Sequence, residues 1–380
     1  MVPIDLTEFS NKLRRLRNQL QLSPDEVARD TGIHSDRISD LESGGAIPTG
    51  DEILIFADFF RCDYRFFISN ERLTASEQTE SLYRKYGDEF TKEDRRAVLE
   101  FLYLCECEQM LNEELERKHR EFRFTAQGEF HKGHGEEAAR ALRSHFGYAP
   151  NAVPSDVYDD FRKIGFHVFR RRLKNSNISG ITIRHPSAGT CILVNYDEDI
   201  YRQRFTAAHE GAHGIIDRTE EVVVSFVGRY KKSSLVEIRA NTFASRYLLP
   251  PSVVTSIPVH HWAPADILRW ASHFKVSTKA LTIALKEAGR IDESTATALA
   301  KVKVPADQKA DPELSNLSGR AEERKRMLLE RGLSTPYVRL CLEAYAQGVI
   351  SGGRVAEMML VDNFELNEIA DLFDFNLQPQ

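Results

Sequence analysis

The stretch "FTAAHEGAHGIID", Phe205 to Asp217, sets His209 and His213 four residues apart with Glu210 directly after the first. On an α-helix residues four apart lie on one face, one turn above the other, so both imidazoles could reach a single zinc ion at roughly 2.0–2.1 Å. Glu210 is rotated away from that line and suits a water at the ion better than the ion itself. Zinc brings such a water's pKa toward about 7, and a nearby carboxylate can take its proton and pass it to a leaving amine. A catalytic zinc also needs a third protein ligand and an open position. Glu237, Asp217, Glu220 and Glu221 are the near candidates. Asp217 lies four residues beyond His213, but its short side chain drifts off the two-histidine face. Glu237 falls on a separate helix, and the Val222–Leu235 loop is long enough to turn the chain back toward the ion. Glu237 is the preferred third ligand.

Several elements must position these groups. A helix is predicted from about Ile200 to Ile216. Before it, "ISGITIRHPSAGTCILVN" gives two β-rich runs around a turn with Pro186 and Gly189, a hairpin. "VPSDVYDDFRKIGFHVFRR" reads as helix then strand, and "EEAARALRSHFG" as a helix. "VEIRANTFASRYLLP" is a helix ending at Pro250-Pro251, and "PADILRWASHFKVSTKALTIALKEAG" supplies two more.

The pair "RFTAAHEGAHGIID" and "EIRANTFASRYLLP" resembles the ImmA/IrrE family of zinc metallopeptidases. That family's pattern is a strand, an H-E-x-x-H helix, then a helix reading E-x-x-A-N-x-F-A that ends in a proline. Glu237, Ala240, Asn241, Phe243, Ala244 and Pro250 match it here, and the similarity spans about 130–290. The resemblance implies a zincin-like fold in which His209, His213 and Glu237 hold Zn2+ and Glu210 is the general base. It also implies an endopeptidase whose protein substrate is a repressor or antitoxin. Asp217 departs from the apolar or histidine residue expected at its position, which makes it a candidate partner behind a ligand. His131, His134, His260 and His261 read as surface or loop residues.

The front of the chain carries a different pattern. Leu13, Leu16 and Leu20 repeat at helical spacing. Ser23 then stands as an N-cap before Pro24, with Glu26 three residues on and Gly32 closing the turn. A second short helix, "IHSDRISDLESGG", ends at Gly44 and Gly45, and Ile53, Phe56, Ala57 and Phe60 line a later one. Short helices around a glycine turn make a helix-turn-helix. "LRRLRNQLQLSPDEVARDTGIHSDRISDLESGGAIPTGDEILIFADFF" resembles the XRE-type DNA-binding domains of bacterial and phage repressors. In that family the helix beginning near His34 enters the major groove, which puts Ser35, Asp36, Arg37 and Asp40 at base edges and Arg14 and Arg15 on phosphates. Two features depart from it. Residues 1–70 hold eight basic against twelve acidic side chains, a net of −4, and Pro24 stands where the family often has glutamine. A helix-turn-helix reused to bind protein is the alternative.

The whole chain has 380 residues and a net charge of −6, so any nucleic-acid binding must come from a local patch. With 42% hydrophobic and 28% charged residues it reads as globular rather than disordered. No apolar run approaches a membrane span and no secretory signal is present. Five scattered cysteines give no disulfide framework, and a cytoplasmic setting follows.

The expected fold is mainly α with a small β-sheet. It divides into a helix-turn-helix domain at 1–70, a helical connector at 71–125, the metallopeptidase domain at 126–300, a polar linker at 301–318 and a C-terminal helical module at 319–380. The connector helix that starts at the Thr91/Asp94 cap could be a dimerising arm, giving a homodimer, or could pack on its own chain. Val355, Met358 and Met359 of the last module read as core. Two functions compete: a DNA-associated peptidase, and a non-proteolytic regulator whose peptidase-like domain is a sensor. The presence of Glu210, which adds nothing to metal binding, favours the first.

Overall fold

The structure, a computed structural model, describes residues 5–69, 77–128, 131–226, 235–309, 311–314 and 317–377. The first residues of the expected connector and part of the expected linker lie outside these. Five helices come first: α1 (Leu6–Gln19), α2 (Pro24–Thr31), α3 (Ser35–Ser43), α4 (Gly50–Phe59) and α5 (Tyr64–Ile68). The Ser23 hydroxyl accepts from Glu26 N at 3.2 Å and the Glu26 carboxylate accepts from Ser23 N at 2.7 Å, a reciprocal cap that starts α2. Gly32 ends the helix at φ +74°. Phe9, Leu13, Val27, Ile38, Leu41, Phe56 and Phe60 close a core of their own.

Next come α6 (Glu77–Tyr86) and α7 (Lys92–Glu114), the latter started by a Thr91/Asp94 box. After α8 (His131–His145) and α9 (Val157–Lys163) the chain enters β1 (His167–Arg171), β2 (Ile178–His185) and β3 (Gly189–Asn195). α10 (Ile200–Ile216), β4 (Val222–Phe226) and α11 (Leu235–Leu248) follow. Then come α12 (Pro251–Thr255), α13 (Pro264–Phe274), α14 (Thr278–Glu287) and α15 (Glu293–Leu299). The last four helices are α16 (Gly319–Glu330), α17 (Thr335–Ala346), α18 (Gly352–Met358) and α19 (Asn363–Leu372).

One mixed sheet runs β1-β3-β2-β4, with β1 parallel to β3 and the other pairs antiparallel. Part of the expected Val222–Leu235 loop is therefore strand. Val222, Val223 and Val224 pair with Ile183, Thr182 and Ile181, as a β-branched run does when a partner edge is available.

Alternation along the strands gives the sheet two apolar faces. Ile181, Ile183, Leu193 and Val224 point into a core with Val98, Phe101 and Leu102 of α7. Val168, Ile192 and Val194 point toward α10 and the helices around it. The connector helix α7 packs on its own chain through Val98, Phe101 and Leu102. The C-terminal helices join the same core, burying Tyr337, Val338, Val355, Met358 and Met359. The polar 301–318 segment is anchored too: Asp311 and Glu313 pair with the buried Arg170 at 2.5 and 3.0 Å. No described helix is long and apolar enough to cross a membrane.

Candidate metal centre

Asp199 starts α10 by accepting from Tyr201 N at 3.0 Å. The helix then buries Ala207, Ala208 and Ala212, all fully enclosed, in the apolar core of the sheet and its surrounding helices. Small side chains let it approach closely, and the approach carries the polar face of the same turns into the interior. His209, Glu210 and His213 are 3%, 0% and 1% exposed.

The two histidines turn their Nε2 atoms toward each other, 3.1 Å apart. Glu237, on the first turn of α11, completes the triangle. Its Oε2 is 3.4 Å from His209 Nε2 and its Oε1 is 3.5 Å from His213 Nε2. Four ligands at about 2.05 Å around a tetrahedral ion stand about 3.3 Å from one another. The three separations cluster at that value, and the donor set of two imidazoles and a carboxylate suits a zinc-type cation. Among the described residues this is the one group of three or more His, Cys, Asp or Glu side chains that could hold a metal ion. Burial pushes the Glu237 carboxyl up, but the hydrogen bond to His209 and the charges of both imidazoles outweigh it and hold the group below its ordinary value.

Glu210 faces the sheet. Its Oε2 accepts from the Thr182 hydroxyl at 2.6 Å, while its Oε1 is buried with no hydrogen-bond partner among the described residues. Gly180, two residues before Thr182 on the same strand face, makes room for it: a Cβ there would stand 2.9 Å from Glu210 Cγ and Oε1. The sequence carried this signal, since Gly180 and Thr182 alternate with Ile181 and Ile183. A polar residue on one face of an apolar strand marks the side that meets something polar.

Asp217 stands behind a histidine rather than in the triangle: its Oδ2 accepts from His213 Nδ1 at 2.8 Å. Arg239 of α11 reaches the other oxygen, Oδ1. Arg184 of β2 donates to the carbonyl of Gly214 at 2.9 Å, a cation on the carbonyl end of α10. Neither Arg184 nor Arg239 is singled out by local spacing. Glu220 and Glu221 lie past α10 and contribute nothing to the triangle. His134 bonds the Gln127 carbonyl at 2.8 Å, and His131, His260 and His261 stand outside the group.

On α3 the residues expected at base edges are disposed unequally. Asp36 and Asp40 are exposed and Ser35 is half-buried. Arg37 is turned back along the domain. Its Nε and Nη2 pair with Glu52 at 2.7 and 3.0 Å, and Nη2 also donates to the Ile47 carbonyl at 2.8 Å. Arg14 donates to the Glu42 carbonyl and Arg15 pairs with Glu80 of α6 at 2.5 Å. All three arginines expected to contact DNA are thus engaged within the chain.

Comparison with known proteins finds two matched spans. Residues 8–64 match the family described as helix-turn-helix domain, and residues 161–286 match the IrrE N-terminal-like domain, a peptidase family. The second span runs from the end of α9 to α14 and includes His209, Glu210, His213 and Glu237. No curated protein matches the chain.

Proposed function

We propose, for a chain that joins a helix-turn-helix domain to an IrrE N-terminal-like metallopeptidase domain, that it is a zinc-dependent endopeptidase cleaving a partner protein such as a transcriptional repressor or antitoxin, brought to DNA by its front domain. The observation that carries this reading is the junction of two features. His209, His213 and Glu237 converge at ligand spacing, and the carboxylate beside them keeps one oxygen unpartnered.

In this reading His209 and His213 bind the ion through Nε2 and Glu237 through its carboxylate. When bound, zinc supplies Lewis-acid polarisation of the peptide carbonyl and acidifies a water. Glu210 would take a proton from a water as that water's oxygen bonds to the peptide carbonyl carbon, and would deliver it to the departing amide nitrogen as the C–N bond breaks, leaving an amine and a carboxylate. Thr182 holds the Glu210 carboxylate by one oxygen and leaves the other for that proton. Burial strengthens each of these interactions, since charges attract more strongly away from water.

A second reading, regulation without proteolysis, draws on the burial of Glu210, which carries no exposed surface. One experiment separates the two. The purified protein is incubated with the products of genes neighbouring its own, beside a Glu210→Gln variant that retains zinc. Cleavage that falls about 100- to 10,000-fold in the variant supports the peptidase. No cleavage by either against every candidate supports the regulator, and equal cleavage by the two rules out Glu210 as the base. Metal analysis of the same preparations should find about one zinc per chain, lost in His213→Ala and Glu237→Gln.

A further inference from the structure

Three side chains, two buried and one largely so, run in line from the end of α10 into α11. His213, Asp217 and Arg239 have side chains 0%, 4% and 11% exposed. The His213 Nδ1–H is donated to Asp217 Oδ2, and Asp217 Oδ1 accepts from Arg239 Nη2. Asp217 is also the C-cap of α10, where its own N–H bonds the His213 carbonyl at 3.0 Å. Backbone and side chain of one residue therefore both close on His213. Arg239 lies two residues past Glu237 on the same helix. α11 thus reaches His213 twice, directly at Nε2 through Glu237 and indirectly at Nδ1 through Arg239 and Asp217.

We propose that Arg239, acting through Asp217, is a positioning residue that fixes His213 for the metal and ties the helix of the third ligand to the helix of the two histidines. The proposal rests on the reading that His209, His213 and Glu237 hold zinc. An acceptor on Nδ1 places the ring proton there and leaves the Nε2 lone pair for the ion. The acceptor must itself be held, and leaving one oxygen of a buried carboxylate unpartnered is costly. Arg239 supplies that hold.

His209 has no such support, since its Nδ1 is buried without a hydrogen-bond partner among the described residues. Orientation of the pair therefore enters mainly through His213. Arg239 is a fixed post for this purpose. α8 crosses α11 so closely there that a Cβ on Gly135 would stand 2.3 Å from the Arg239 carbonyl oxygen.

The test measures zinc affinity of the full chain by competition with a chromophoric chelator, together with the visible spectrum of the cobalt(II)-loaded protein. Arg239→Met and Asp217→Ala should each weaken zinc by about 10- to 100-fold and shift the cobalt bands, because the ligand geometry loosens. Arg239→Lys and Asp217→Asn, which keep a donor and an acceptor, should recover part of both. Combining Arg239→Met with Asp217→Ala should cost no more than Asp217→Ala alone, since the arginine acts through the aspartate. If Arg239→Met does not fold in the metal-free state, the Lys and Asn variants carry the test. Variants with the parent's zinc affinity and cobalt spectrum would overturn the proposal while leaving the zinc reading in place. A parent that takes up neither zinc nor cobalt would overturn both.

Discussion

The Thr182 hydroxyl of β2 stands 2.6 Å from Oε2 of Glu210 on α10, so the sheet beneath the helix holds the carboxylate next to the metal triangle. The second Glu210 oxygen has no such tether. A base held by one oxygen presents the other in a fixed direction, and fixed direction is a large part of what makes proton transfer fast.

Thr182→Val keeps the shape of the side chain and removes the donor. Zinc content and Km are expected to stay near the parent's, while kcat falls by about tenfold or more, within the contribution that a positioned base makes. Thr182→Ser should restore most of the rate. A valine variant with unchanged kcat would show that Glu210 needs no hold from the sheet.

The second prediction concerns the front domain. Arg37 is committed to Glu52, and Glu52 also forms the capping box of α4 by accepting from Thr49 N at 2.7 Å. Glu52→Gln keeps that box, because glutamine serves in it as glutamate does, but removes the charge that holds Arg37. The freed guanidinium should tighten binding to duplex DNA and steepen the salt dependence by about one phosphate contact, a slope change near 0.9. Adding Arg37→Ala should cancel the gain. The readout is fluorescence anisotropy on one duplex over a salt series. No change on Glu52→Gln would mean that Arg37 faces no phosphate.

These relationships were legible in the sequence to very different degrees. The H-E-x-x-H turn, the Ser23/Glu26 and Thr91/Asp94 caps and the β2–β3 hairpin depend on residues within a few positions of each other, and local spacing shows them. β4 was hidden because a strand needs its partner, and that partner lies some forty residues back. Thr182 is marked by its alternation with Ile181 and Ile183 along β2, but Arg239 meets the site only after two helices have packed, so no local period marks it. The Arg37 expectation placed the residue on the correct helix, but its side chain is decided by a glutamate fifteen residues on. The Thr91/Asp94 cap placed the start of α7, and Val355, Met358 and Met359 marked a core in the last module. Neither showed that α7 and the last helices share one core.

That shared core bears on the C-terminal helices. Residues from 309 onward contribute Leu328, Leu333, Tyr337, Val338, Cys341, Val355, Met358 and Met359 to the core of α7 and the sheet. At about 1.5–3 kcal/mol for each large buried side chain, their removal costs on the order of 10 kcal/mol or more, comparable with the whole stability of a domain. A chain ending at 308 is expected to lose cooperative thermal unfolding and to bind a hydrophobic dye. A soluble, cooperatively unfolding truncation would show instead that these helices form a detachable module.

The last prediction concerns Lys325, which α16 buries at 3% exposure with its Nζ 3.8 Å from Glu313 and 4.5 Å from the Phe373 ring centre. Burial pulls its pKa down to about 8; Glu313 draws it up and Arg170 pushes it down. In the unfolded chain a lysine titrates near 10.4. Below pH 8 both states carry the proton, and the folded state bears the full cost of the buried charge. Between about 8 and 10.4 the unfolded chain binds more protons than the folded one, so this group makes stability rise with pH over that window. The whole effect is on the order of 3 kcal/mol, with the attraction to Glu313 already contained in the shifted pKa. Lys325→Met removes the charge and keeps the stem. At pH 7 the variant is expected to be the more stable by about 1–3 kcal/mol, and the difference should shrink as pH climbs from 8 toward 10. Urea unfolding of both proteins at several pH values measures that difference, in which the other titrating groups cancel. A variant less stable than the parent at pH 7 would mean that the ion pair with Glu313 outweighs the burial of the lysine.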